Sequence, residues 1–194
     1  MNVNFNQEIR NSVATRRAYE LSKNASCESM LSNLKAFDKT LANDALVALL
    51  AASQMNADTL NNAERSNARF NVYAFEKVLR DVSVIRMNHY SLAIVRSCIA
   101  LEAADMTLTH ADAVVACSLD AKHKDSKRAS IIKSARYAKH VALNTASTQS
   151  SSSINSLQAL NVLTETRDAS NVVSYVLNRD SELTQKMIAH CATL

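Results

Sequence analysis

Seven cationic side chains, Lys122, Lys124, Lys127, Arg128, Lys133, Arg136 and Lys139, fall within residues 121–140 against one acid, Asp125. Elsewhere the chain is nearly balanced: residues 1–120 hold 12 basic and 13 acidic residues, and residues 141–194 hold 3 and 4. The net charge of +4 is therefore concentrated in one short segment. A local stripe of that kind attracts polyanions even when the whole-chain charge is modest. Ammonium and guanidinium groups at this density suit phosphates, whose neutralisation releases counterions. Directly after the stripe come Ser147, Thr148, Gln149, Ser151, Ser152 and Asn155. These are short donors and acceptors suited to phosphate oxygens or base edges, and Gln and Asn amides pair bidentately with adenine. Residues 148–160 contain no Arg or Lys, so the commonest contact to guanine is missing and phosphate binding has the stronger chemical support.

The same residues have plainer explanations. A basic helix is often a solvated face, and a Ser tract can be exposed helix surface. Catalytic chemistry has little to work with. The chain contains no Gly, which excludes Gly-rich phosphate loops of the Walker and Rossmann types and a glycine-flanked serine elbow. His89, His110, His123, His140 and His190 lack metal-ligand spacing, and Cys27, Cys98, Cys117 and Cys191 are dispersed, with no C-x-x-C pair. The cysteines are expected to be buried free thiols. No catalytic residue, metal or cofactor is expected, although a nuclease site built from distant carboxylates would leave no pattern in one sequence.

The elements that must position these side chains can be read from apolar spacing and caps. Phe5, Ile9 and Val13 mark a first helix, and Leu31, Leu34, Phe37 and Leu41 a second. Asn43-Asp44 caps a short apolar helix through Leu50, and a polar interval from Asn56 to Asn71 follows, with a short helix around Leu60 to Arg65. Phe75, Leu79, Val82 and Ile85 resume the helical pattern, broken at Met87-Asn88-His89. Leu92 to Ala104 is apolar almost all round, as in a helix at the centre of a bundle. For Phe70, Tyr73 and Phe75 a core role is favoured over a base-stacking platform. Thr109 with Asp112 has the form of a capping box.

Asp125 or Ser126 is expected to cap a helix carrying Ile131, Ile132, Ala135, Ala138 and Val141. Leu143 to Ala146 then reads as a turn, and Ser147 or Thr148 as the cap of a helix with Ile154, Leu157 and Leu160 facing inward, ended by Asn161. Residues 162–167 and 172–177 are β-prone runs around Asp168-Ala169-Ser170-Asn171, a hairpin. Glu182 to Ala192 closes the chain as a helix.

Helix, turn, helix and hairpin in this order resemble a winged helix-turn-helix DNA-binding domain over residues 109–180. Ala142 to Ser150 looks like the turn into a recognition helix, and Leu157 to Leu163 like the passage into a wing strand. The resemblance implies a second helix in a major groove, with the wing, carrying Arg167, against adjacent backbone or minor groove. The expected fold is mainly α: a helical N-terminal body over residues 1–105 and a winged-helix-like domain with one small β-hairpin over residues 106–194. Double-stranded DNA is the expected partner. Dimerisation is expected from the symmetry usual among such binders, and a protein contact through the N-terminal helices.

Gly, Pro and Trp are all absent, where ordinary usage would supply roughly twenty Gly and Pro residues. They are the amino acids whose every codon contains GG or CC. A gene depleted of those dinucleotides would present no GG-type recognition motif to an RNA-guided nuclease, which points to a phage or mobile element; a helical protein with skewed usage is the plainer account. The longest apolar run, Ala45 to Ala52, is too short to span a bilayer, and the N-terminus lacks a secretory pattern. A cytoplasmic regulator or replication accessory factor is the expectation. The alternative is an α-helical interaction or assembly protein, such as a capsid-associated factor or an inhibitor of a host enzyme, with no nucleic-acid role.

Overall fold

The computed structural model describes residues 3–23, 28–59, 72–84, 86–136 and 140–194. Among these residues the chain forms helices α1 (Val3–Lys23), α2 (Glu28–Thr40), α3 (Asp44–Ala52), α4 (Val72–Val82), α5 (His89–Glu102), α6 (His110–Cys117), α7 (Ser126–Ala135) and α8 (Leu143–Ala159). The hairpin β1 (Leu163–Arg167) and β2 (Val173–Leu177) and helix α9 (Glu182–Ala192) complete it. The fold is mainly helical with one small antiparallel sheet, as the apolar periodicity implies.

The N-terminal helices follow their apolar stripes. Phe5, Ile9 and Val13 of α1 and Leu34 and Phe37 of α2 are buried, and Phe37 meets Phe75 of α4 with ring centroids 5.4 Å apart. Asn43 caps α3 by accepting from the Leu46 amide. The expected helix around Leu60 to Arg65, Phe70, Ile85 and the Tyr73 side chain lie outside the described residues.

Helix α5 is the centre of the fold. Leu92, Ala93, Ile94, Val95, Cys98 and Leu101 are all buried, because α5 packs against α6, α7, α8, α9 and β2. Asn88 caps it through the Tyr90 and Ser91 amides. Buried apolar residues from Phe5 to Cys191 form one continuous cluster. Cys98, Cys117 and Cys191 are buried free thiols, and Cys27 lies outside the described residues. Burial pushes the Cys191 thiol up to about 11.

Without Gly, the left-handed positions fall to other residues. Gln54, Asp105, Asn161 and Asn171 have φ of 54°, 57°, 56° and 61°. The first three end α3, α5 and α8 in the same way: Met55 N donates to Leu50 O, Met106 N to Leu101 O, and Val162 N to Leu157 O. Each is the backbone bond of a Schellman ending, and each links two apolar residues. Asn161 ends α8 as its place in the sequence implies, and its Nδ2 donates to Ser53 O at 2.8 Å.

The hairpin pairs Leu163 with Leu177 and Arg167 with Val173. Asp168 closes its tip, with Oδ1 accepting from the Ser170 and Val172 amides at 2.8 and 2.9 Å. An unanticipated segment joins the other edge of β2: Leu108 and Tyr175 exchange both backbone hydrogen bonds, at 2.9 and 2.7 Å.

Two expectations around the basic segment are corrected. Helix α7 stops at Ala135 rather than running to Val141, and Leu143 to Ala146 form the first turn of α8 rather than a connecting turn. The break is Arg136, whose ψ of 144° leaves the helix while its side chain is held elsewhere. Helices α7 and α8 are consequently not a packed pair: α8 lies on α4, α5 and α6, and α7 lies on α5 and α6.

Candidate nucleic-acid interface

The first turn of α6 organises the region. Thr109 and Asp112 form the expected capping box: Thr109 N donates to Asp112 Oδ2 at 2.7 Å, and the Asp112 amide donates back to Thr109 Oγ1 at 3.3 Å. Asp112 has no exposure and does more than cap. Arg128 grips it with Nε on Oδ1 at 3.1 Å and Nη2 on Oδ2, and the same Nη2 donates to Thr107 O. His123 Nε2 lies 3.2 Å from Oδ1. Burial alone would raise the Asp112 pKa, but the hydrogen bonds from Arg128 and Thr109 outweigh it and hold the carboxyl below its ordinary value.

The segment leading into α7 is tied to the same turn. The Asp125 amide donates to His123 Nδ1 at 3.0 Å, and Asp125 Oδ1 caps α7 through the Lys127 and Arg128 amides at 2.8 and 3.1 Å. On the other side of the turn, His110 Nε2 lies 2.8 Å from Ser151 Oγ of α8. The start of α6 thus joins the basic segment through Asp112 and α8 through His110.

The seven cations divide by what they touch. Lys122, Lys124, Lys127 and Lys133 are exposed and make no ion pair among the described residues. Arg128 is committed to Asp112. Arg136 is committed to the end of α6, with Nη2 donating to Val115 O and Ser118 O at 2.7 and 2.9 Å. Its positive charge thereby meets the carbonyl end of the helix dipole. Lys139 lies outside the described residues.

Helix α8 brings the polar candidates together on one element. Ser147, Thr148, Ser151 and Asn155 are exposed, and Gln149 and Ser152 are half-buried. Their inward neighbours Ala146, Ser150, Ser153, Ile154 and Leu157 are buried. Arg167, at the end of β1, is exposed and pairs with Glu165 at 2.8 Å and with Asn171 Oδ1 at 3.2 Å. The 16-residue separation between Asp112 and Arg128 leaves no periodic signature, so their pairing was visible only in three dimensions.

Among the described residues, no group of three His, Cys, Asp or Glu side chains converges as metal ligands would, and no helix is long and apolar enough to cross a membrane. No family model, curated protein or solved structure matches this chain.

Proposed function

We propose that this protein binds double-stranded DNA, with α8 in the major groove and the β1–β2 tip against the neighbouring backbone, as a regulator or replication accessory factor of a phage or mobile element. The observation that carries this reading is the shared anchor: one turn of α6 holds the lysine-bearing segment through Asp112 and the polar helix through His110. Phosphate-neutralising and groove-facing chemistry are thereby tied to the same turn of α6.

The winged helix-turn-helix reading takes a modified form. Helices α5, α6 and α8 pack on one another, α8 leads directly into the hairpin, and Leu108 supplies a third edge on β2. In this reading α6 and α8 are the helix-turn-helix pair, α7 is an insertion between them, and α5 belongs to the domain. Docking draws on Lys122, Lys124, Lys127, Lys133 and Lys139, because Arg128 and Arg136 are used internally. Dimerisation on a two-fold symmetric target belongs to the same proposal.

The deciding measurement is duplex binding against salt. A slope of log K on log salt that becomes shallower by ~0.9 for each phosphate-contacting lysine replaced supports the reading. Absence of duplex binding at low salt would favour the interaction or assembly protein instead.

A further inference from the structure

Helix α8 is polar outside without being charged. No Asp, Glu, Lys or Arg stands between Lys139 and Glu165. Asn144, Thr148, Ser151 and Asn155 are spaced four, three and four residues apart and all are exposed, so they lie on one stripe of the helix. The hydroxyls on that stripe turn back to the backbone: Thr148 Oγ1 donates to Asn144 O at 3.3 Å, and Ser151 Oγ to Ser147 O at 3.1 Å. Their protons are used, and the Ser151 oxygen also faces His110. Thr148 therefore presents its methyl group and an acceptor. The Asn144 and Asn155 side chains make no hydrogen bond among the described residues, and each amide retains a donor beside an acceptor.

This inventory does not treat the four bases alike. In the major groove guanine presents two acceptors, N7 and O6, which are best met by the paired donors of Arg or by Lys. The α8 stripe has neither. Adenine presents an acceptor beside a donor, the complement of a carboxamide, and thymine presents a methyl group. Asn144 and Asn155 are ~16 Å apart along the helix axis at 1.5 Å per residue, which is roughly five base steps of duplex.

Resting on the DNA-binding reading above, we infer that α8 selects A·T-rich duplex, with Asn144 and Asn155 reading adenines and Thr148 packing against a thymine methyl. Affinity and selectivity then reside in different elements. The lysines around α7 bind any duplex, and the uncharged stripe of α8 chooses among them.

The test is selection of a randomised duplex library with the full chain, followed by affinities for matched duplexes with A·T or G·C cores. Enrichment of A·T cores and about tenfold tighter binding to them are expected, the discrimination of one good bidentate contact. Asn155→Ala and Asn144→Ala should each narrow that ratio while leaving the salt slope unchanged. Asn155→Arg should move preference towards G·C. Replacing thymine by uracil should weaken binding of the wild type but not of Thr148→Ser, which has no methyl to lose. Equal affinity for both cores, or a ratio unaffected by both Asn→Ala variants, overturns the base selectivity and leaves DNA binding standing. No binding to any duplex at low salt overturns both.

Discussion

The region around α7 and helix α8 are neighbours in sequence and opposites in chemistry. The first is rich in cations; the second has no charged residue. Within the basic region a second contrast is sharper still, because Lys127 and Arg128 are adjacent yet one faces solvent and the other closes over a buried carboxylate. A charge count treats them as equals. The structure separates charge that holds the fold from charge that remains available to a partner.

The largest expected effect tests that separation. Arg128→Ala should destabilise the protein by ~3 kcal/mol, because removing one partner of a buried pair strands the other charge. Chemical denaturation would measure it, and a loss comparable with an exposed lysine substitution would break the contrast. Replacing Lys122, Lys124, Lys127 and Lys133 together by Ala should instead leave stability within about 0.5 kcal/mol per site. The same variant should weaken duplex binding for all sequences alike and flatten its salt dependence.

Acid provides an independent probe. The Asp112 carboxyl is held below its ordinary value of 3.8 in the folded protein. Its stabilising contribution is therefore fully present above that value and is lost as pH falls through it towards the depressed folded pKa. Wild type should lose denaturation midpoint faster below about pH 4 than Asp112→Asn, which no longer titrates there. Parallel curves would mean that the carboxylate carries no linked stability.

Smaller effects isolate backbone from charge. Gln54→Gly should stabilise by ~1 kcal/mol, since Gly relieves the cost of a side chain at positive φ. Asn161→Gly should gain less, because Nδ2 loses its bond to Ser53 O. Thermal melts would rank the two, and the reverse order would sink the account of the helix endings. Arg167→Ala should be smallest in stability, a few tenths of a kcal/mol for an exposed pair. Any larger loss in duplex affinity would place the hairpin tip at the interface.

Local signals were legible where one residue type does one job. Asn43, the Thr109–Asp112 box and Asp125 cap the helices their positions imply, Asn161 and Asn171 take left-handed turns, and α9 spans Glu182–Ala192. The near-continuous apolarity from Leu92 onward marked the central helix because packing against α6, α7, α8, α9 and β2 leaves little room for a polar face. The ends of α7 and α8 were not legible. With no Gly or Pro to punctuate 136–142, the break depends on Arg136 binding carbonyls of a distant helix, and Ala142 starts α8 without a side-chain cap. Leu108 joins the sheet for a similarly non-local reason. Of the site, the uncharged character of α8 was visible in composition; the inward turn of Arg128 required knowledge of where Asp112 lies.

The helix endings at Gln54, Asp105 and Asn161 complete their turns with neither Gly nor Pro nearby. The unfolded chain consequently contains no Xaa-Pro bond to equilibrate between isomers. Refolding from denaturant should lack the phase of tens of seconds that such bonds impose on other proteins, and a prolyl isomerase should leave its rate untouched.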